Sequence, residues 1–505
     1  MKASKIAGVI ITIAATLLGT RDAKADDEPK PDPREPAFRY TMPAKRQYLR
    51  ATLEEIVVLG VGYAQYTIAK QSNVRDFDNS PDWDTLKSKL LLGSGVSFDN
   101  NLYDTNWLTH PLAGFFYYGV ARSNRLSIPV ATAAAFVGST LWETFGEIRE
   151  DASINDLIAT PLAGMATYEP LLQTGAFFQR ARKTPGSLTL AWIFAPFKML
   201  HDAIDGLEPE RATEVDDAGL PLDTWHRLRA GGSAGVTHQE DGVTQGDARF
   251  WGESRIVTLP FYGQPKRIRG WFDSAEVSEM RVQAGVSEGR LVDLNLSAHM
   301  LPFGYRAQDA EGDGIVGGMH VGVEYAKHNY DRDRRDNRNR DRVSFVATGV
   351  TVEGTQHAGP ALVRLRLDTL GTFAGVDAYA LPEYDDRYDL SRVTSVLLNQ
   401  GYYHAFGATI RPRAEVEIGR FDCGFDLRGE WFRQVVVRDR GMAPIDLGVT
   451  ATDRRLQSRA FVGFRPTPHI RVSLMGEANQ RMGRMDDVRA ARGEIGLHGG
   501  METIF

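Results

Sequence analysis

From Trp225 onward the side chains of this chain alternate in character. Val292, Leu294, Leu296 and Ala298 fall on one face, and Asp293, Asn295, Ser297 and His299 on the other. Val363, Leu365 and Leu367 oppose Arg364, Arg366 and Asp368, and Ile470, Val472 and Leu474 oppose Arg471, Ser473 and Met475. A strand sends successive side chains to opposite faces, so this half of the chain reads as strands with one apolar and one polar side. About twelve such segments can be marked between 225 and 505, one of them over 268–284. The last, Arg492 to Phe505, puts Ile495, Leu497, Gly499, Met501, Thr503 and Phe505 on one face and Glu494, Gly496, His498, Gly500, Glu502 and Ile504 on the other. Two architectures accept this pattern. A soluble sandwich would turn the polar face to water, and a closed membrane barrel would turn the apolar face to lipid.

Connections and termini favour the barrel. Asn329–Asp341, Val376–Gly401 and Arg438–Arg454 are long, whereas Gln356–Ala358, Gly419-Arg420 and Pro466–Pro468 are short. An alternation of long and short connections is the outer-membrane pattern. Met1–Ala25 reads as a secretory leader: Lys2 and Lys5 carry charge, Ile6–Gly19 is too short to span a bilayer, and Ala23-Lys24-Ala25 suits cleavage. The chain's ending, alternate hydrophobic positions closing on Phe505, resembles the C-terminal signal of bacterial outer-membrane β-barrels. That resemblance implies that the barrel-assembly machinery reads Phe505.

Composition removes other classes. A net charge of −6 gives no global basic signal for nucleic acid. The single cysteine, Cys423, excludes an intramolecular disulfide and a multi-cysteine zinc site. It lies on the apolar face of its strand with Phe421, Phe425 and Leu427, as a small lipid-facing hydrophobe. A mean hydropathy of −0.30 argues against a polytopic helical membrane protein. It is compatible with a barrel, because barrel strands are half polar. Aromatic girdle candidates are Trp251, Phe261, Tyr262, Trp271, Tyr402, Tyr403, Trp431 and Phe432.

Ahead of the barrel, residues 26–43 read as an acidic, proline-rich spacer and 44–205 as a periplasmic helical domain. Residues 206–224 form an acidic linker to a barrel over 225–505. Helices are expected over Ala44–Lys70, Trp83–Leu92, Pro111–Ala121 and Ile128–Ile148, and a third helix of the polar stretch, which Pro161 opens or kinks, ends near Glu169. A further one is expected over Leu188–Ala203. Ser153 is a candidate N-cap. Gly60 and Gly62 suggest a close helix approach. Pro111-Leu112-Ala113-Gly114 recurs as Pro161-Leu162-Ala163-Gly164, with Asn106 and Asp156 in matching places.

The densest polar constellation runs from Phe98 to Glu169. It holds Asp104-Thr105-Asn106, His110-Pro111, Arg122, Glu143, Glu147 and Ser153-Ile154-Asn155-Asp156. Glu143 and Glu147 share a helix face, and carboxylates on an apolar helix call for partners. His110, Arg122 and Arg149 are available. An antiparallel bundle is expected to bring Asp104, His110, Glu143, Glu147 and Asp156 to one end. The motifs Asp-Thr-Asn, His-Pro-x-x-Gly, Trp-Glu-x-x-x-Glu and Ser-x-Asn-Asp resemble an uncharacterised family of Gram-negative proteins known only as a domain of unknown function. The order of Asp, His, Glu and Ser-x-x-Asp is similar to that of VanZ-like helical membrane proteins. Neither resemblance supplies a catalytic role.

The expected fold is therefore α+β multidomain: an N-terminal helical bundle followed by an antiparallel transmembrane β-barrel of about twelve strands. The expected address is the outer membrane. The expected work is binding, transport or organisation of an envelope lipid or small amphiphile. Two alternatives stand beside it: an enzyme acting on a lipid headgroup, and a structural barrel plugged by the bundle. In the enzyme reading His110, Glu147 and Asp104 would be catalytic. Asn106, Arg122, Glu143, Ser153, Asn155 and Asp156 would complete the polar cluster, or bind. No cofactor is implied, although a His/carboxylate set leaves a divalent metal open. The missing Gly-x-Ser-x-Gly elbow and phosphate loop lean against an enzyme without deciding it. Partners are outer-membrane lipid and, through the arginines of Asp331–Arg342, lipopolysaccharide phosphates.

Overall fold

The computed structural model describes residues 35–73, 83–92, 95–99, 101–148, 150–258, 268–309, 312–329, 340–388, 397, 401–435 and 449–505. The expected leader, Arg149, Phe261, Tyr262 and the charged run through 339 lie outside the described residues.

A two-residue parallel pair, β1 (Val96–Ser97) with β2 (Ala152–Ser153), belongs to the helical half. The rest of the sheet structure is a closed antiparallel barrel of 12 strands. In chain order these are β3 (Trp225–Gln239), β4 (Thr244–Val257), β6 (Val277–Ser287), β7 (Arg290–Gln308), β8 (Gly314–Asn329), β9 (Arg340–Ala358) and β10 (Ala361–Asp377). They continue as β11 (Tyr402–Ile418), β12 (Phe421–Gln434), β13 (Ala451–Thr467), β14 (Ile470–Met485) and β15 (Val488–Ile504). β15 closes the ring on β3, from Glu494 opposite Gln239 to Ile504 opposite Arg229. The single strand expected over 268–284 is two. β5 (Ile268–Phe272) pairs with the end of β7, and the chain breaks at Ala275, whose φ is +55°. The strand ends that flank the long connections, Asn329 and Arg340, Asp377 and Tyr402, and Gln434 and Ala451, all lie at the end opposite Trp225 and Phe505.

Ion pairs identify the inward face. Arg255 on β4 meets Glu353 on β9 at 2.6 Å, Arg366 on β10 meets Glu279 on β6 at 2.8 Å, and Arg428 on β12 meets Glu324 on β8 at 2.6 Å. These strands are not neighbours, so the contacts cross the lumen. A cavity of about 190 Å³ remains among Arg281, His299, Glu324, Arg411 and Arg459. At the long-connection end, the helix Leu381–Tyr388 caps the lumen. Its Tyr384, with Leu397, joins inward Phe345, Leu370, Val376, Tyr403 and Phe432 in one apolar cluster.

The outward face is apolar. Val350, Leu365, Phe406, Phe421, Phe425, Ile495, Leu497 and Met501 are all exposed, as is Cys423. Among the described candidates the girdle expectation holds for Trp271 and Trp431 alone. Trp251 points inward, its indole N–H donating to Glu502 at 3.2 Å, and Tyr403 and Phe432 join the lumen cap. Adjacent residues of one strand cannot share a face, so Tyr402-Tyr403 and Trp431-Phe432 each offer the exterior one ring.

The helical unit comprises α1 (Tyr48–Asn73), α2 (Trp83–Lys87), α3 (His110–Ser123), α4 (Ile128–Leu141), α5 (Ile154–Arg180), α6 (Pro185–Phe194) and α7 (Pro196–Asp205). Proline sits in the first turn of α3, α4, α6 and α7, where its missing N–H costs nothing. Ser153 caps α5, accepting from the Asp156 N–H at 3.2 Å. Two expectations are corrected. Of the two readings of Pro161, the structure rejects the opening: Pro161 lies inside α5, which does not end near Glu169 but continues through Pro170 to Arg180. The helix expected over Leu188–Ala203 breaks at Ala195, because Pro196 cannot donate the next hydrogen bond. Pro36–Phe38, expected as spacer, form a buried turn against this unit.

The helical unit lies along the outer wall of the barrel, not in the lumen, which overturns the plug alternative. Ser254 on the outward face of β4 hydrogen-bonds Thr174 at 3.0 Å, and Ile256 packs with Phe177 and Phe178. Met300 and Val321 join Tyr168 and Leu172 in one core, and Val346, Phe373 and Tyr402 join Phe98, Tyr103 and Trp107 in another. α5 therefore crosses the strands obliquely, from the long-connection rim at Ile154 to the rim of the termini at Phe178. Its 27 residues reach about 40 Å, the scale of a bilayer. Among the described residues no helix is long and apolar enough to cross a membrane by itself. Val321 is fully buried under this unit, and a charge there would have no partner. We expect Val321→Asp to expose the helical unit to protease while the barrel keeps its folded, heat-modifiable gel mobility.

Candidate functional site

α3 and α5 start side by side at the long-connection rim, which sets His110 against Asp156. His110 Nδ1 lies 2.5 Å from Asp156 Oδ1. Asp99, in the loop after β1, completes a group whose ligand-type atoms all lie within 4.8 Å of one another. Asp99 and Asp156 are buried, and His110 is half-buried.

The surrounding residues fix these three. Asn155 Oδ1 accepts from the Asp99 N–H at 2.9 Å and the Ser153 hydroxyl at 2.8 Å, while its Nδ2 donates to Asp156 Oδ1 at 2.9 Å. The Asn101 N–H donates to Asp99 Oδ1 at 3.1 Å. The Ser139 hydroxyl donates to the Asp156 carbonyl at 3.1 Å. The barrel takes part as well: His404 Nε2 lies 3.2 Å from the Asp99 carbonyl, and the Tyr402 hydroxyl donates to the Asn101 carbonyl at 2.7 Å. Asp156 Oδ2 is buried with no hydrogen-bond partner.

The other expected residues divide into three groups. Glu143 accepts from the Ser153 N–H at 2.7 Å, and Lys89 donates to the carbonyls of Glu143 and Glu147 at 2.7 Å each. These two glutamates, both buried, therefore stand behind the His–Asp pair. Asn106 turns to the barrel and donates to Tyr402 at 2.9 Å. Asp104 does not join the cluster. It is largely exposed and faces Arg342 of the barrel at 3.4 Å, because a wide turn over Thr105–Thr109 separates it from His110. Arg122 also leaves the cluster.

Arg122 sits at the other end of α3. It bonds Glu169 through Nε at 2.8 Å and Nη2 at 3.0 Å, the Leu126 carbonyl at 2.9 Å, and Glu35. Tyr118 and Gln173 complete Glu169 at 2.7 Å each. This second buried cluster is a closed, charge-assisted network that pins helix ends. Below it, burial would raise the Asp205 carboxyl, yet hydrogen bonds from Arg50 and Arg125 hold it below its ordinary pKa.

Asp99, Lys89, Tyr402 and His404 escape sequence reading. Asp99 begins the polar run Asp99-Asn100-Asn101 directly after Phe98, the one local signal that marks it.

No curated protein matches the chain. Among solved structures, an outer membrane channel from Pseudomonas putida F1 is similar at 13% identity and a TM-score of 0.27, covering 58% of this chain and 100% of that one. The translocator domain of the autotransporter NalP from Neisseria meningitidis follows at 13% and 0.24, covering 62% and 100%. The KdgM porin is similar at 7% and 0.22, covering 55% and 99%. Residues 95–197, the stretch that carries Asp99, His110, Asn155 and Asp156, match the family model described as a domain of unknown function, DUF3943.

Proposed function

We propose that the protein is an outer-membrane barrel whose helical unit lies in the lipid layer beside it, and that the two together bind an envelope lipid or small amphiphile. The observation that carries this reading is exposed apolar surface on both bodies. Val57, Val61 and Ile68 on α1 and Ile193 on α6 are each more than 60% exposed, as are Phe421, Ile495 and Met501 on the barrel. Apolar area of this extent on two adjoining bodies suits lipid rather than water. The polar headgroup would sit at the long-connection rim, where His110 and Asp156 meet under the ends of β9 to β11. An acyl chain would follow the apolar wall.

The test is lipid retention. Full-length protein, extracted in mild detergent, should carry lipid at near one per chain by mass spectrometry, and His110→Ala should retain several-fold less. Retention no greater than that of an unrelated twelve-strand barrel would overturn the reading. The His110–Asp156 pair has the geometry of a base with its orienting carboxylate, which favours a headgroup-modifying enzyme as a second reading. A changed membrane lipid composition in cells carrying His110→Ala would support it, and an unchanged one would count against it.

A further inference from the structure

We propose that Asp99, His110 and Asp156 hold a divalent first-row transition ion. Three ligand-type atoms from three separate segments converge within 4.8 Å: one imidazole nitrogen and two carboxylate oxygens. Bonds of about 2.1 Å from one ion place ligand atoms roughly 3–4 Å apart, so the group needs to open between His110 and Asp156 and to tighten wherever its atoms stand as far as 4.8 Å apart. Asp156 Oδ2 supplies an independent sign. It is buried, it faces no hydrogen-bond donor, and it belongs to a carboxylate whose other oxygen is already shared by His110 and Asn155. A buried carboxylate oxygen without a donor is costly, and a cation satisfies it.

The donor set selects the class of ion. Mixed imidazole and carboxylate ligation suits Zn²⁺, Mn²⁺ or Fe²⁺ better than Ca²⁺, which takes oxygen ligands alone. The residues behind the ligands have the form that metal sites require. Asn155 holds the backbone of Asp99 and the carboxylate of Asp156, Asn101 holds the carboxylate of Asp99, and Ser153 caps the turn that presents Asp156. Such outer partners orient ligands and commonly account for 10–100-fold in affinity. The open side of the group lies toward His110, the half-buried member. A headgroup phosphate or carboxyl would approach there, but metal uptake itself needs no lipid.

Zn²⁺ is the probe. Full-length protein in detergent, stripped with a chelator and equilibrated with Zn²⁺, should take up one ion per chain by mass spectrometry of metals. His110→Ala and Asp156→Asn should each lower uptake at least tenfold, and Asp104→Asn should leave it unchanged. Gel mobility and protease resistance report whether each variant is folded. For any variant that fails to fold, the wild-type chain decides alone: Co²⁺ in place of Zn²⁺ should give a nitrogen/oxygen ligand-field spectrum and raise protease resistance of the helical unit. Uptake below one ion per chain with no such spectrum overturns the proposal. So does equal uptake by folded His110→Ala, or equal loss in Asp104→Asn.

Discussion

Replacing Gly164 by valine should take the helical unit apart while leaving the barrel closed. α3 and α5 touch backbone to backbone at their repeated Pro-Leu-Ala-Gly segments. A Cβ built on Gly164 would lie 2.2 Å from the Gly114 carbonyl oxygen, and one on Gly114 would lie 1.8 Å from that of Thr160. Neither obstacle is a side chain that can swing aside. Both are carbonyls committed to their own helices, so the helices must separate. Separation then breaks the neighbouring contacts, among them Gly119 against the Tyr168 ring. Overpacking of a side chain into a core costs about 1–3 kcal/mol. A backbone clash between two long helices belongs at or above the top of that range.

Gly60 supplies the opposite sign. Nothing lies within 4 Å of its added Cβ, so Gly60→Ala should gain the helix-propensity difference of about 1 kcal/mol. Protease resistance of the helical unit separates the outcomes: abolished in Gly164→Val, unchanged or improved in Gly60→Ala, with gel mobility of the barrel the same in both. Retained resistance in Gly164→Val would show that the two helices do not cross there.

This contrast also marks what the sequence could and could not convey. The echo of four residues is visible in the chain, yet only the fold shows that the two copies meet at their glycines. Gly60 and Gly62 looked equally suited to a close approach, but Gly60 faces open space and Gly62 the Trp142 ring. Alternation separates inward from outward residues reliably, because one residue of slip would reverse every face. It cannot separate outward residues that meet lipid from those that meet helices. Val350 is exposed and Val346 is buried under Trp107, four residues apart on the same face. The site was partly legible, since His110, Glu143, Asn155 and Asp156 belong to recognisable local motifs. Tyr402 and His404 reach it from another part of the chain, and no local pattern announces such a contact. Asp104 misled because the motif gives its spacing from His110 but not the wide turn that rotates it outward.

Arg366→Met should destabilise the barrel more than any removal of a charge at its rim. Arg366 lies in the lumen, where its Nη1 meets Glu279 at 2.8 Å, its Nε meets Asp368 at 2.9 Å, and its Nη2 contacts His299. Glu279 sits on β6 and Arg366 on β10, strands that do not neighbour each other, so this one guanidinium ties two separate parts of the wall across the lumen. Without it, Asp368 keeps Arg413 at 2.8 Å, but Glu279 is left with His299 at 3.2 Å and with Arg413 and Arg255 at 3.7 and 3.8 Å. Breaking a buried pair costs about 3–5 kcal/mol where the charge left behind has no counterion; Glu279 keeps two arginines at longer range, which places Arg366→Met toward the lower end of that range. The pair Arg387–Asp487, about half exposed at the rim, should cost under about 1 kcal/mol when broken. Denaturant unfolding in lipid vesicles, followed by tryptophan fluorescence, compares Arg366→Met with Arg387→Met directly. Adding Glu279→Gln to Arg366→Met should recover part of the loss, since it removes a buried carboxylate whose shortest arginine contact is gone. A double variant no more stable than Arg366→Met would mean that methionine packing, not the weakened pairing of Glu279, sets the cost.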